Sequence, residues 1–347
     1  MFYQSPGALH MHTTHSDGTG TLPELVQAAK EAGLAWIWVT DHDTMGHKSS
    51  EGIIDGVTTL IGYEITPHRN HYLVGDMDEL VSPELSPAEY VAEVAQRGGV
   101  GIVAHPDEKA YNPYTEPYRW DDWSIRGFTG IELWNYMSDW VEHYTPVNQY
   151  RNFLFPSFAL HGPTPDTLRW WDQLQQEGEH ATGVFGVDAH AYKTKQVGMT
   201  WTVYPYVYCF RQLVNYLQLD APLSSDFKEA EQQIWKAIRR GRVIMANQGN
   251  GDAAGTTYLA HIRNQSALYT CGDTVPLTDG LLLDFSCSQP ATLRLFRNGE
   301  LLSKTRHSHT LRYPCHKAGH YRIEAHRRPK TRGGTSLWIM TNHIHVV

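Results

Sequence analysis

From the N-terminus to about Asn247, short apolar runs alternate with amphipathic stretches that carry helix caps. In residues 21–33, Leu22, Leu25, Val26 and Ala29 recur at helical spacing on one face. Thr21 and Glu24 have the spacing of a capping box, and Gly33 supplies a stop. Residues 86–98 repeat the device, with Ser86 as cap, Pro87 in the first helical position and Glu89 three residues past the cap. Each helix is followed by a run too apolar for a surface loop, 35–39 and 100–104, which predicts a buried strand. Further strands are predicted at 60–65, 130–134, 183–187 and 242–246, and helices at 165–177 and 226–240. Strand–helix alternation of this length predicts a parallel α/β arrangement, either a barrel or a doubly wound sheet.

Residues 248–257, rich in Gly, Asn and Asp, interrupt the pattern, and beyond them the period changes to two. Strands are predicted at 281–286, 291–296, 320–325 and 336–340, with Asn298-Gly299 as a turn signal. The basic run 327–334 reads as an exposed hairpin loop. The expected organisation is an α/β unit over 1–250 and a β-rich accessory module over 255–347, a small antiparallel sandwich. A chain of 347 residues accommodates both.

Composition narrows the function. A net charge of −8 argues against coating nucleic acid by electrostatics alone. It leaves a phosphorylated substrate open, because bound cations change the local sign. No run approaches the roughly 20 apolar residues of a membrane span. Residues 1–7 lack the basic and apolar regions of a leader, so a cytoplasmic protein is expected. The four cysteines, Cys209, Cys271, Cys287 and Cys315, show no CxxC spacing. Cys287 and Cys315 could pair across the β module, while free buried thiols suit a reducing compartment. The 20 histidines point instead to imidazole and carboxylate ligands.

Those ligand types gather where strands are predicted to end. His10 and His12, two apart on a strand, point to one face, and Asp17 follows in the next loop. The apolar run 35–39 ends in Thr40-Asp41-His42-Asp43. Glu64 follows 60–63, His71 precedes 72–74, His105 closes 100–104, and Asp188 and His190 close 183–187. In α/β folds, functional groups collect past the carboxyl ends of parallel strands. A satisfied core histidine accounts for any one of these positions but not for the set, which predicts a multinuclear metal site.

The ordered motifs HxHTxxSDG, TDH, a Glu after an apolar strand, an HP pair and DxH resemble a PHP (polymerase and histidinol phosphatase) domain across residues 8–247. The resemblance implies a distorted seven-stranded β/α barrel with a trinuclear site. It implies that His10, His12, Glu64 and Asp188 hold one metal, that Glu64, His71 and His105 hold a second with Glu64 bridging, and that Asp17, His42 and His190 hold a third. The tail, with Gly319-His320-Tyr321-Arg322-Ile323-Glu324 and residues 337–344, resembles the stand-alone, carbaryl-hydrolase-like (CehA-type) branch of these hydrolases. That branch's tail carries W-I-x-S-N-P-I-x, where Thr341 and His343 stand in place of Ser and Pro.

The expected activity is a metal-dependent phosphoesterase acting on a small phosphate mono- or diester through a metal-bridging hydroxide, with Glu64 and Asp188 as catalytic residues. Two to three divalent ions, Mn²⁺, Zn²⁺ or Fe²⁺, suit the ligands. Arg69, Lys109 and Arg119, in loops after ligand strands, are candidates for positioning phosphate. The alternative is a carboxyl or carbamate ester hydrolase, favoured by the many Trp and Tyr in 111–150. A catalytically inactive PHP binding domain is the third reading, and the complete ligand set argues against it. The expected partner is a phosphorylated small molecule, with no nucleic acid or membrane, and an oligomer remains open. His15 reads as a rim residue, and His47 and His68 as loop residues near the ligands. Asp41 or Asp43 could orient His42. The histidines beyond residue 300 read as surface.

Overall fold

In the computed structural model, residues 2–109, 117–143, 145, 147–148, 151–152, 160–196, 198–328 and 334–347 are described. Two sheets in the N-terminal half grow from the predicted apolar runs. In the first, β1 (Tyr3–Leu9) pairs in parallel with β2 (Trp36–Val39), and β2 with β4 (Val57–Ile61), which also carries the short β3 (Gly52–Ile54). The second sheet runs in order through β5 (Tyr63–Ile65), β6 (Tyr72–Gly75), β7 (Val100–Val103), β8 (Gly130–Asn135) and β9 (Thr182–Gly186). Two seams join these sheets: a parallel bridge between Met11 and Ala189, and another between His42 and Glu64.

The predicted helices form at Leu22–Ala32, Pro87–Gln96, Pro165–Glu177 and Phe227–Arg239. Both capping boxes are made, by Thr21 with Glu24 and by Ser86 with Glu89, and Gly33 ends the first helix at φ 75°. None of the helices among the described residues is long and apolar enough to cross a membrane. The fold is mixed α/β, and the expected parallel arrangement holds for β1–β2–β4 and β7–β8–β9 but not throughout. β6 is antiparallel to both β5 and β7. The link between β5 and β6 is too short for a crossover helix, so the two strands form a hairpin. β12 (Leu213–Leu219) runs antiparallel to β1, and β10 (Lys193–Gln196) and β11 (Met199–Thr202) form a separate ribbon.

β12 continues the first sheet through β13 (Val243–Asn247) into the C-terminal strands. The remaining strands are β14 (Thr257–Ile262), β15 (Leu268–Thr270), β16 (Thr274–Val275), β17 (Leu281–Arg297), β18 (Glu300–Pro314), β19 (Gly319–Arg327), β20 (Ser336–Thr341) and β21 (Ile344–Val346). β13 pairs with β20, so one 14-stranded sheet spans both halves of the chain. The two strands predicted at 281–286 and 291–296 are one bulged strand, β17. It turns into β18 through Asn298 and Gly299, whose φ values of 52° and 82° fit a two-residue hairpin turn. Residues 329–333 of the predicted basic loop lie outside the described residues. All four cysteines are free and buried.

Of the histidines expected at the surface, His307, His309 and His316 are exposed, whereas others are part of the packing. His343 is buried, with Nε2 2.9 Å from Asp172 of the helix Pro165–Glu177, and His326 lies 2.8 Å from Glu324. The same Asp172 accepts two 2.8 Å hydrogen bonds from the buried guanidinium of Arg322, which also reaches Glu324. The physical reason is coverage: the helix lies over β19, so polar residues beneath it must find partners there. Removing one partner leaves a buried charge partly uncompensated. Asp172→Ala is therefore expected to lower the free energy of unfolding by about 3 kcal/mol, the lower end for a broken buried pair because Glu324 remains. Urea denaturation measures this, and a loss under about 1 kcal/mol would show that the pair does not tie helix to strand.

Candidate metal centre

The nine predicted ligands converge. Glu64, only 1% exposed, lies at the middle. Its Oε2 faces His42 Nδ1 at 3.0 Å, His10 Nε2 at 3.3 Å and His12 Nε2 at 3.6 Å. Its Oε1 faces His71 Nδ1 at 3.0 Å and His105 Nε2 at 3.5 Å. Asp188 Oδ1 lies 3.2 Å from His12, 3.4 Å from His10 and 3.6 Å from His190. Asp17 Oδ1 lies 3.1 Å from His190 and 3.3 Å from His42. Ligand atoms within 4.8 Å of one another form the sets His12–Asp17–His42–His190, His10–His105–Asp188, His10–His12–Glu64 and Glu64–His71–His105.

The pleat of a strand does not produce this convergence. β1 ends at Leu9, and His10 takes φ 67°, while His105 and Asp188 have φ 28° and 49° just past β7 and β9. Positive φ is uncommon outside glycine, and here it turns three side chains inward from strand ends. His10 and His12 thus meet through a left-handed kink rather than by strand alternation. The backbone is held there by the His12 N–H donating to Ala189 O at 3.0 Å.

The donor set fits cations. Among the described residues, His10 Nε2, His12 Nδ1 and Nε2, His42 Nδ1 and His105 Nδ1 are buried without a hydrogen-bond partner. Such orphaned atoms are costly unless an ion or water meets them. Burial works against a proton on His42, yet Asp17 and Glu64 outweigh it and lift its pKa to about 10. Burial likewise opposes protonation of His105, but Glu64 and Glu108 raise it to about 9. Burial and His190 instead lower His12 to about 4. Burial opposes the charge on Glu64 and Asp188, but the surrounding imidazoles hold both carboxyls well below their usual range. Positive charge is thus called for at the centre, and a cation bound there would supply it in place of protons.

Glu132, read in the sequence only as part of a strand, is a second support for the centre. Buried in β8, it accepts from His10 Nδ1 at 2.9 Å and from the His105 N–H at 2.8 Å. The first contact fixes the tautomer that leaves His10 Nε2 open toward the site. Asn135 Nδ2 donates to Glu132 at 2.9 Å and to Asp188 Oδ2 at 3.3 Å. Gly186 makes room: a Cβ there would meet Glu132 Oε1 at 1.4 Å. A lone Glu within the apolar run 130–134 was the available signal.

Neither Asp41 nor Asp43 orients the His42 ring. Asp41 accepts from the Thr13 N–H and hydroxyl at 2.6 and 2.7 Å and from the Ser16 hydroxyl at 2.7 Å, so it shapes the first ligand loop. Asp43 accepts from Thr66. His15 and His47 stack on each other at 3.7 Å, apart from the ligand sets.

The centre opens into a cleft of about 750 Å³ that His68, Glu108, Met137, Trp140 and Val141 help to line. Tyr118 stacks on His71 at 4.8 Å and Tyr192 on His190 at 4.7 Å. The three expected phosphate-positioning cations are not among its described lining residues. Arg69 and Arg119 both pair with Asp121, at 3.2 and 3.6 Å. Lys109 lies 3.2 Å from Asp107 and lines a neighbouring cavity. Of the aromatic run 111–150, Tyr111, Tyr114, Tyr144 and Tyr150 lie outside the described residues. Trp134 is buried and donates to Asp139 at 2.8 Å, in the core rather than in the cleft.

In comparison with known proteins, the model of the PHP domain family matches residues 8–145. An uncharacterized protein of Methanocaldococcus jannaschii is 26% identical over 112 residues, which span 28% of this chain and 66% of that relative. Among solved structures, a two-domain protein of Bacteroides vulgatus, described as containing a predicted PHP-like metal-dependent phosphoesterase, is 15% identical with a TM-score of 0.48. That alignment covers 97% of this chain and 95% of the other. A protein of Bifidobacterium adolescentis, described as a candidate metal-dependent phosphoesterase, is 19% identical with a TM-score of 0.35, covering 58% of this chain and 93% of the other.

Glu132→Gln keeps the side-chain volume but weakens the acceptor behind His10. Metal affinity is expected to fall about 10- to 100-fold, the usual effect of losing a group that orients a ligand. Titration of chelator-stripped protein with Mn²⁺ or Zn²⁺ measures it, and an unchanged affinity would show that Glu132 serves packing alone.

Proposed function

We propose that this chain, whose residues 8–145 match the PHP domain family, is a hydrolase of small phosphate mono- or diesters that works with two or three divalent cations. The observation that carries this reading is the division of Glu64. One of its oxygens faces His71 and His105, and the other faces His10, His12 and His42. A carboxylate shared in this way suits neighbouring cations. His10, His12, Glu64 and Asp188 would hold one, Glu64, His71 and His105 a second, and Asp17, His42 and His190 a third. Bound there, such ions supply Lewis acidity and acidify water at neutral pH. Mn²⁺, Zn²⁺ and Fe²⁺ all accept these ligands.

The chain's own residues do the rest. Asp188, held through Oδ2 by Asn135 and still 14% exposed at the side chain, is positioned to take the proton of the attacking water. Water adds to phosphorus, the ester oxygen leaves, and the net proton passes to that oxygen. Tyr118 and Tyr192 flank the centre as ring walls, stacked on ligand imidazoles. The described cleft lining contains Asp17, Glu64, Glu108 and Asp188 but no Lys or Arg. Charge neutralisation of a phosphate therefore falls to the bound cations and the histidines.

A second reading, carboxyl or carbamate ester hydrolysis on the same centre, is favoured by Tyr118, Met137, Trp140, Val141 and Tyr192 in the cleft walls. Apolar area of that kind stabilises an aryl group by roughly 25 cal/mol per Å² buried. The two readings separate on one assay. With phosphomonoesters, phosphodiesters and aryl esters offered to metal-loaded protein, phosphoester turnover is expected, with competitive inhibition by inorganic phosphate. Phosphate is expected not to bind the stripped protein, whose cleft is lined by carboxylates. Aryl ester turnover that millimolar phosphate leaves untouched would establish the second reading instead.

A further inference from the structure

At the opposite end of β9 from Asp188 and His190, a trio of histidines lies outside the centre just described. His320 in β19 and His345 in β21 are register partners in an antiparallel pair, so their side chains share one face. Their Nδ1 atoms are 2.8 Å apart and their ring centroids 5.1 Å apart. His180 precedes β9 in the turn after the helix Pro165–Glu177, with φ 48°. Its Nδ1 lies 3.2 Å from His345 Nε2. One nitrogen from each ring falls within 4.8 Å of the other two.

We propose that His180, His320 and His345 form a separate transition-metal site that takes a borderline cation such as Zn²⁺ or Ni²⁺ and clips the last strand to the turn before β9. Zinc–nitrogen distances of 2.0–2.1 Å put tetrahedral ligand nitrogens about 3.3 Å apart, so ring rotations of about 1 Å close the site. The trio contains no carboxylate, and an all-imidazole set suits Zn²⁺, Ni²⁺ or Cu²⁺ over Mn²⁺ and Mg²⁺. Burial and the neighbouring imidazoles lower His320 to about 4 and His345 to about 2. Both rings are therefore neutral at pH 7 and offer lone pairs without first losing a proton. His345 is buried, His320 half-buried and His180 exposed, so an ion has a path from solvent and room for water as a fourth ligand.

The bland alternative is a hydrogen-bonded chain in which neutral His345 donates from one nitrogen and accepts at the other. His180→Asn distinguishes them, since Asn tolerates positive φ and the position is exposed, so the fold is kept. The full chain and this variant would be saturated with Zn²⁺, freed of excess metal and analysed for zinc per chain, with His320→Asn as a second variant. The parent is expected to hold one more zinc than either variant, with phosphoester or ester turnover equal in all three. Zn²⁺ should also raise the melting temperature of the parent more than that of the variants, whereas Mn²⁺ should make no such difference. Equal zinc content in all three proteins would overturn the proposal and leave the hydrogen-bonded chain.

Discussion

Glu64 is a carboxylate almost closed to solvent, and five imidazoles face its two oxygens across 3.0 to 3.6 Å. Burying such a charge is expensive unless positive charge surrounds it. The protein answers by bringing imidazoles from both sheets to this point: His10, His12 and His42 from the first, and His71 and His105 from the second. The seam between His42 and Glu64 is itself one of the two bridges that join the sheets. The candidate metal centre and the closure of the N-terminal half therefore depend on the same contacts.

Strain at the strand ends serves that arrangement. Left-handed backbone at His10, His105 and Asp188 costs something at each residue, and it persists because neighbouring groups fix it. The Met11–Ala189 bridge holds the first and third, and Glu132 holds the His105 N–H. A carboxylate behind the ligands, in a place cleared by Gly186, thus sets both a tautomer and a backbone turn. Further out, the sheet continues through β13 and β20, and Arg322, Asp172 and His343 bind the C-terminal strands to a helix of the N-terminal half.

The sequence carried much of this, for identifiable reasons. Helices with caps and one-sided apolar spacing, such as Leu22–Ala32 and Pro165–Glu177, were legible because local rules decide them. Ligand positions were legible because His and Asp at the ends of apolar runs are conspicuous. Strand direction was not: the β5–β6 hairpin looks in sequence like two more strands of a parallel set. β18 escaped notice because, among the described residues, it pairs only with β17 and is largely exposed, so it shows no apolar alternation. Glu132 and the His180–His320–His345 trio were hidden for another reason. Their partners come from residues 122 and 165 positions away, and only the tertiary fold brings them together.

The central claim is that Glu64 is shared between neighbouring cations. Anomalous diffraction from crystals of the full chain grown with Mn²⁺ tests it most directly. The account predicts at least two peaks about 3.5–4 Å apart, one beside each carboxylate oxygen of Glu64. A single peak, or density confined to sites that Glu64 does not touch, would contradict it.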